Sequence, residues 1–309
     1  MRIIFMGTPT FALPSLERLA QSAHQICAVV TGPDVPQGRG LKLQMPPVKQ
    51  AALRFGYPVL QPASLKDPAF ADELRALRAD LFIVVAFRIL PPALLDIPAL
   101  GAINLHASLL PKYRGAAPIN WAIINGEQET GVTIFRLKPT VDTGDILMQR
   151  SLPINEDDTA GSLAIRLSVL GADLLVETID RLAVNDLPAQ PQNDELATPA
   201  PKIFPELGEI DWYKDAFTIK CLIHGLSPSP GAFTFWQGKR LKILRASWQP
   251  HSATAEPGTI VARDKKSLSI QTGDGYLFPL ELQIEGRRPL PVDVFLRGFS
   301  GKAGDRFAA

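Results

Sequence analysis

Residues Asp80–Ala86 read DLFIVVA, an unbroken apolar run behind a single acid. A short run of this kind fits a strand that is covered on both faces, as the strands of a parallel sheet are. Outward from it, strand-like runs alternate with helical patterns at residues 9–20, 48–55 and 68–78. The strand-like runs are Arg2–Met6, Ile26–Thr31, Pro58–Leu60 and Gly101–Leu105. This alternation predicts an α/β fold with a Rossmann-like, doubly wound sheet.

The pattern changes in the second half of the chain. Strand signals at 132–138 and 146–154 precede the longest helical pattern, Ala160–Leu182, for which Thr159 is a suitable N-cap. Leu187–Pro205 contains five prolines, a composition typical of linkers. One helical pattern and five short strands follow, which predicts a smaller, OB-like β-barrel. We therefore expect an N-terminal domain over residues 1–189, a linker over 190–207 and a C-terminal barrel domain over 208–309.

Composition excludes several classes of protein. The 309 residues are 46% hydrophobic and 20% charged, which is enough apolar material for a packed core and excludes a disordered chain. The only cysteines, Cys27 and Cys221, exclude a disulfide framework and a cysteine-based zinc site. No apolar run approaches the roughly 18 residues of a membrane span, and no secretory signal is visible. We expect a cytoplasmic protein.

Charge is distributed unevenly between the two halves. The net charge is +1 overall, −2 over residues 1–204 and +3 over residues 205–309. The basic residues of the C-terminal part form three clusters: Lys239, Arg240, Lys242 and Arg245; Arg263, Lys265 and Lys266; Arg287 and Arg288. Each cluster alone is explained by a solvated surface. Together on a small barrel they also fit a surface for a phosphate backbone.

The candidate chemistry lies in Asn104–Pro111, NLHASLLP. Side chains two apart in a strand share a face, so Asn104 and His106 project together at the carboxyl end of a buried strand. Ligands of open α/β sheets bind at that edge. An amide and an imidazole side by side can stabilise one developing oxyanion or move a proton. The alternative is a polar pair that satisfies a local turn, but the pairing at a strand end favours a catalytic role.

A carboxylate is expected to orient His106 or to receive a proton. Val141–Asp145, VDTGD, lies between two predicted strands and supplies Asp142 and Asp145. Asp142 is the better candidate, Asp145 fits a turn cap, and Gly144 gives the segment freedom to turn tightly. A purely structural aspartate in such a turn is the open alternative.

These motifs resemble the folate-dependent formyltransferases over essentially the whole chain. The resemblance rests on N-x-H-x-S-L-L-P at 104–111, Tyr113–Pro118 (YRGAAP) and D-x-G-D at 142–145. It extends to FMGTP at 5–9, PDVPQGRG at 33–40, ETGVT at 129–133 and GDG at 273–275. The resemblance implies formyl transfer from 10-formyltetrahydrofolate to the α-amine of initiator methionyl-tRNA. It makes the N-terminal domain the catalytic one and the barrel a tRNA-binding domain.

The resemblance also implies roles for individual residues. Asn104, His106 and Asp142 become the catalytic trio, and Ser108, Leu109, Leu110 and Pro111 line the tetrahydrofolate site. Backbone near Ala86–Leu90 receives the pterin ring. The family usually reads A-Y-G there, whereas this chain has Ala86-Phe87-Arg88, so Arg88 is not expected to be a binding residue. No metal is expected, and we expect a monomer.

The segment Gly32–Pro47 is long and lacks an apolar period, so we expect a structureless loop. Either it is a mobile surface insert, or it is a lid that orders on tRNA. In the second interpretation Arg39 and Lys42 contact phosphates or bases, and Lys112 and Arg114 extend that surface.

Two other functions remain open. A formyltransferase acting on a nucleotide-linked amino sugar carries the same N-x-H-x-S-L-L-P motif. A non-catalytic nucleic-acid-binding protein on a Rossmann-like scaffold is the alternative from another class. The basic barrel and the 32–47 segment favour the tRNA substrate.

Overall fold

A computed structural model describes residues 1–37 and 42–308, and these form two compact units. The first unit comprises Met1–Gly115, Thr130–Leu152 and Ala164–Ala200. The second comprises Ala116–Glu129, Pro153–Leu163 and Pro201–Ala309. Each unit is thus assembled from separate stretches of the chain.

The strands, in chain order, are β1 (Arg2–Gly7), β2 (Gln25–Val30), β3 (Val35–Gln37), β4 (Lys42–Gln44), β5 (Val59–Leu60), β6 (Leu81–Val85), β7 (Ala102–His106), β8 (Arg114–Gly115), β9 (Glu129–Arg136), β10 (Ile146–Pro153), β11 (Pro199–Ala200), β12 (Ala232–Trp236), β13 (Lys239–Pro250), β14 (Ile260–Arg263), β15 (Leu268–Gln271), β16 (Gly275–Ile284) and β17 (Leu290–Pro291). The α-helices are α1 (Leu13–Ala20), α2 (Pro47–Arg54), α3 (Pro68–Ala76), α4 (Pro92–Leu95), α5 (Pro118–Ile124), α6 (Ala160–Ala183), α7 (Ala216–Gly225) and α8 (Val292–Phe295).

The first unit contains a seven-stranded sheet in the order β10-β9-β7-β6-β1-β2-β5. The five strands from β7 to β5 are parallel to their neighbours, and β9 runs antiparallel to β7. The chain leaves β1 on one side for β2 and β5 and returns on the other side for β6. This confirms the predicted doubly wound α/β fold, with its switch point between β1 and β6.

Residues of β6 are buried on both faces, as the sequence indicated. Phe82 and Val84 join Ile4 of β1 and Leu74 of α3 in a core on one face of the sheet. Ile83 lies on the alternate face and is equally inaccessible to water. Because both faces are covered, no polar position interrupts the run.

The segment after β2 differs from the expected structureless loop. Val35–Gln37 pairs antiparallel with Lys42–Gln44, with Pro36 opposite Leu43, so the two strands form a hairpin. Backbone pairing between two three-residue strands leaves no periodic apolar signal, which is why the sequence did not reveal it. Residues 38–41, and with them Arg39, lie outside the described residues.

The second unit contains an antiparallel sheet in the order β12-β13-β16-β15-β14, with β17 beside β16. Arg306 bridges Thr259, just before β14, and Ala308 bridges Phe235 of β12. The C-terminal residues therefore bridge to the chain at both edges of this sheet, and the antiparallel sheet agrees with the predicted C-terminal β domain. Within the described part of the chain, no helix has the length and apolar character to cross a membrane.

His224 of α7 is a buried structural residue of the second unit. Its Nδ1 lies 3.1 Å from the Asp158 carbonyl oxygen, and the Ala246 backbone N–H donates to Nε2 at 3.2 Å. Nε2 also lies 2.9 Å from the Ala246 carbonyl oxygen, so backbone polar groups contact both ring nitrogens. Burial, followed by the charge of Lys220, lowers the pKa of His224 from 6.5 to about 4.

Acid should therefore destabilise this unit in a defined window. The unfolded chain takes up a proton at His224 near pH 6.5, whereas the folded chain resists it down to about pH 4. The stability contributed by neutral His224 is complete above pH 6.5 and is lost as the pH falls toward 4. The loss in the free energy of unfolding is at most about 3 kcal/mol. Urea unfolding midpoints at pH 7 and pH 4.5 measure this. His224→Gln should reduce the difference between the two midpoints. The control His251→Gln, at an exposed histidine, should leave the difference unchanged. Equal differences in the two variants would contradict the role of His224.

Candidate active site

The carboxyl end of β7 brings Asn104 and His106 to one face of the sheet. In the parallel pairing with β6, Asn104 lies opposite Val84. Leu105, between them, points the other way, since a Cβ built on Gly171 of α6 would lie 2.7 Å from its Cδ1. One face of β7 therefore packs against a helix, and the other presents the polar pair. The Asn104 amide has no hydrogen-bond partner among residues 1–37 and 42–308, so its N–H groups are available to a ligand.

The His106 ring is held by a backbone carbonyl. Its Nε2 lies 2.8 Å from the Tyr113 carbonyl oxygen, and the side chain is 7% exposed. A carbonyl only accepts, so Nε2 carries the proton and donates to it. In the neutral ring Nδ1 is then the basic nitrogen. Phe135 packs edge-on against the ring at 6.3 Å between centroids, which excludes water from that side.

Asp142 approaches His106 from the segment between β9 and β10. Its Oδ2 lies 3.7 Å from His106 Nδ1 and accepts a hydrogen bond from the Gly115 backbone N–H at 2.8 Å. Asp142 is buried and has a φ of 53°, in the left-handed region. The 3.7 Å separation is an ion-pair distance and is too long for a direct hydrogen bond. The structure thus brings all three residues of the expected trio into one neighbourhood.

The electrostatics of His106 favour a neutral ring. Burial lowers the pKa of His106, while the Asp142 charge and the Tyr113 carbonyl act in the opposite direction without cancelling it. A neutral imidazole at pH 7 accepts a proton rather than giving one up at the start of a reaction. The nearby carboxylate then stabilises the imidazolium that forms.

Gly144 is required for a different reason than the one the sequence indicated. A Cβ at this position would lie 1.6 Å from the Arg136 carbonyl oxygen, so the segment passes directly against β9. The left-handed conformation of the turn belongs to Asp142. Close approach of two backbones, and not unusual dihedral freedom, makes glycine necessary here.

The segment expected to bind folate is folded partly on itself. The Ser108 hydroxyl donates to the Lys112 carbonyl at 2.7 Å and is buried, as is Leu110. Leu109 and Pro111 are partly exposed. Ser108 and Leu110 thus shape the segment, and Leu109 and Pro111 form its accessible surface.

Thr133 is a site residue that sequence reasoning missed. Its hydroxyl donates to the Ser108 carbonyl at 2.7 Å and accepts from the Leu110 N–H at 3.1 Å. It lies opposite His106 in the antiparallel pairing of β7 with β9. The signal was present as a lone polar position between Val132 and Ile134, both fully buried. Thr133 fixes the path of the chain that follows His106.

The expected tRNA-binding residues have different environments. Lys112 is exposed, and Lys42 lies in β4. Arg114 is 16% exposed and pairs with Asp194 at 2.7 Å, so its guanidinium is engaged within the protein. Arg88 donates to the Pro62 carbonyl at 3.0 Å, and Ala86 and Ile89 are exposed. Among the residues described, no three His, Cys, Asp or Glu side chains are grouped to hold a metal ion.

Two family models, both of formyl transferases, match the N-terminal and the C-terminal parts of the chain. The family model described as formyl transferase matches residues 1–179. The model described as formyl transferase, C-terminal domain, matches residues 202–300.

Curated relatives match nearly the full chain. The methionyl-tRNA formyltransferase of Citrifermentans bemidjiense is 48% identical over 305 residues, covering 98% of this chain and 95% of the relative. That of Moorella thermoacetica is 46% identical over 306 residues, covering 99% and 98%.

Solved structures share the fold at lower identity. An N-formyltransferase from Helicobacter canadensis, in complex with folinic acid and dTDP-3-aminofucose, is 22% identical with a TM-score of 0.67 and covers 90% of this chain and 97% of its own. HypX from Aquifex aeolicus, in complex with tetrahydrofolic acid, is 20% identical with a TM-score of 0.65 and covers 99% of this chain and 48% of its own.

Proposed function

The chain belongs to the methionyl-tRNA formyltransferase family, and from this we propose that Asn104, His106 and Asp142 carry out formyl transfer from 10-formyltetrahydrofolate to the α-amine of initiator methionyl-tRNA. Folate-dependent formylation of methionyl-tRNA is its reaction. The observation that supports these catalytic roles is the 3.7 Å approach of Asp142 to the basic nitrogen of His106. The Asn104 side-chain amide lies at the same strand end and has no hydrogen-bond partner within the part of the chain that the structure describes. We expect the enzyme to act in the cytoplasm as a monomer.

The reaction begins with attack by the amine. An α-amine has a pKa of about 8, so a useful fraction is neutral at pH 7. Its nitrogen forms a bond to the formyl carbon, and the carbonyl oxygen becomes an oxyanion. The side-chain N–H groups of Asn104 donate to that oxygen. Such a donor contributes about 3–4 kcal/mol to the transition state.

Proton movement is assigned to His106. Its Nδ1 takes the proton that the attacking nitrogen loses, because Nε2–H is committed to Tyr113. The imidazolium lies beside the Asp142 carboxylate, which stabilises it, and its charge also favours the neighbouring oxyanion. Nδ1–H then donates to N10 of the folate as the carbon–N10 bond breaks. The products are formylmethionyl-tRNA and tetrahydrofolate, and His106 returns to its neutral form.

The residues expected to hold the folate fit a flat ring system. Ile89 is 72% exposed although it is apolar, and Ala86, three residues earlier after β6, is also exposed. Leu109 and Pro111 give a second apolar surface after β7, the neighbouring strand. Both surfaces follow the carboxyl ends of parallel strands, where ligands of such sheets bind.

The second unit has a groove that fits a nucleic-acid backbone. Its volume is about 830 Å³. Trp236, Leu290 and Phe299 are among its apolar lining residues, and Lys239, Arg287 and Arg288 are its basic ones. Two members of the basic clusters outside the groove, Lys242 and Arg263, are engaged within the protein. Lys242 donates to the Pro230 carbonyl at 2.6 Å, and Arg263 donates to the Phe299 carbonyl at 2.8 Å. We assign the phosphate contacts of the barrel to the groove residues.

Steady-state formylation of charged initiator tRNA tests this function. The unaltered enzyme should formylate methionyl-tRNA and leave a dTDP-linked amino sugar unchanged. Arg287→Glu with Arg288→Glu should raise KM for methionyl-tRNA about tenfold or more at low salt and leave KM for the folate unchanged, because these residues serve the tRNA alone.

The control is the double variant Lys265→Glu with Lys266→Glu. It makes an equal change in charge at exposed residues outside the groove. Its KM for methionyl-tRNA should change much less. Equal effects of the two double variants would remove the groove from tRNA binding. Turnover of the amino sugar without turnover of methionyl-tRNA would overturn the assignment of the acceptor. A function that stays intact in Asn104→Ala and Asp142→Ala, and that charge reversals in the barrel abolish, would favour a non-catalytic nucleic-acid-binding protein.

A further inference from the structure

Part of the segment expected to be a linker is built into the first unit. Pro199–Ala200 forms a parallel pair with Arg114–Gly115 of β8. The Thr198 hydroxyl accepts from the Tyr113 N–H at 2.9 Å, and the Thr198 carbonyl accepts from the Arg114 N–H at 2.9 Å. This segment therefore braces the residue whose carbonyl holds His106.

Gln192, six residues before Thr198, makes similar contacts to the turn that contains Asp142 and Gly144. Its Nε2 donates to the Asp142 carbonyl at 2.9 Å and to the Gly144 carbonyl at 2.7 Å. Its Oε1 accepts from Arg114 Nη2 at 2.7 Å and Nε at 3.1 Å. Arg114 Nη2 also donates to Asp194 at 2.7 Å. The amide group of Gln192 is thus fully hydrogen-bonded, which fixes both its rotamer and the direction of its N–H groups.

These contacts bear on a conformation that needs support. Asp142 has a φ of 53°, and a residue other than glycine keeps such a conformation only when its surroundings hold it. Gln192 binds the carbonyls on both sides of Thr143, so it holds the turn that aims the carboxylate. We propose that Gln192, supported by Arg114, is a positioning residue that keeps the Asp142 carboxylate against His106. This inference rests on the catalytic roles proposed above.

The proposal gives Arg114 a different role from tRNA binding. A phosphate ligand needs an accessible guanidinium, whereas this side chain is 16% exposed and donates to Gln192 and Asp194. Loss of a tRNA contact raises KM for the tRNA. Loss of a positioning contact lowers kcat and changes the titration of His106, since Asp142 is the charged group that acts on its ring.

Gln192→Leu, which keeps the size and removes the polar atoms, tests the proposal. We expect kcat for methionyl-tRNA to fall about 10-fold to 100-fold, with KM for tRNA unchanged within about twofold. The pKa of His106, followed by NMR of the imidazole in the full chain and assigned with His106→Ala, should move lower, because the carboxylate that favours the cation has moved away. The acidic limb of the pH–kcat profile should shift in the same direction.

Gln190→Leu is the matched control, since the same residue type two positions earlier is exposed and uses its backbone to pair with Ile146. It should leave kcat and the His106 titration unchanged. Arg114→Met leaves Gln192 in place without its support, and it should produce a smaller change of the same kind. This second variant also decides the question if Gln192→Leu does not fold.

An unchanged His106 titration in both Gln192→Leu and Arg114→Met would overturn the positioning role, as would a rise in KM for tRNA with kcat preserved. The titration needs no turnover. A chain that fails to formylate methionyl-tRNA, yet shows the shift in His106, would therefore overturn the proposed function and leave the positioning role standing.

Discussion

His106→Ala is expected to lower kcat for formylation of methionyl-tRNA about 10³-fold, because one substitution removes the basic nitrogen and the cation that forms beside the oxyanion. KM for the tRNA should change little, since the imidazole is buried and offers little surface to the tRNA. Incorporation of a labelled formyl group under saturating substrates measures the effect.

His251→Ala provides the control, because His251 is an exposed histidine of the second unit. It should retain the full rate. Formyl incorporation that survives His106→Ala undiminished would remove the imidazole from the mechanism and leave Asn104 and Asp142 to be explained without it.

Gly144→Ala is expected to lower kcat about 100-fold without touching any catalytic group. The new Cβ would lie 1.6 Å from the Arg136 carbonyl oxygen and 2.8 Å from the Arg136 carbonyl carbon. Both are backbone atoms of β9, which cannot relieve the clash by a change of rotamer. The segment must move by more than 1 Å, and Asp142 moves with it. A displacement of about 1 Å at a reacting group costs about 100-fold in rate. Overpacking should also lower stability by about 1–3 kcal/mol.

Gly298→Ala separates this effect from a general intolerance of alanine. A Cβ at Gly298 meets no atom within 4 Å, so the variant should keep the wild-type melting temperature and the wild-type kcat. Gly298 lines the groove of the second unit, so kcat is compared at saturating methionyl-tRNA. Wild-type kcat in Gly144→Ala would mean that the Asp142 segment is displaced without consequence, and the catalytic role of its carboxylate would then fail.

The sequence allowed the main sheet to be predicted because burial leaves a strong pattern. β6 is apolar at every position since both of its faces are covered, and Asn104 and His106 share a face because of simple alternation. The approach of Asp142 was inferred from residue chemistry and family resemblance, and its position in the fold agrees with that inference.

Other features left no such pattern. The β3–β4 hairpin depends on backbone pairing alone. The buried hydroxyl of Ser108 depends on its bond to the Lys112 carbonyl, and nothing in the composition of a segment reveals which way a hydroxyl turns. Proline content marked residues 190–207 as a linker, but proline is also tolerated in a two-residue edge strand such as Pro199–Ala200. Whether Arg39 and Lys42 contact tRNA stays a prediction.

The alternation along β7 has a consequence for how this strand can vary. Leu105 packs toward α6 while its two neighbours face the opposite side. Deletion or insertion of one residue within the strand would exchange those orientations. The amide of Asn104 and the imidazole of His106 would then be buried among apolar side chains, and Leu105 would face the substrate. Single substitutions can be accommodated around this strand. A register shift by one residue would abolish both catalysis and folding.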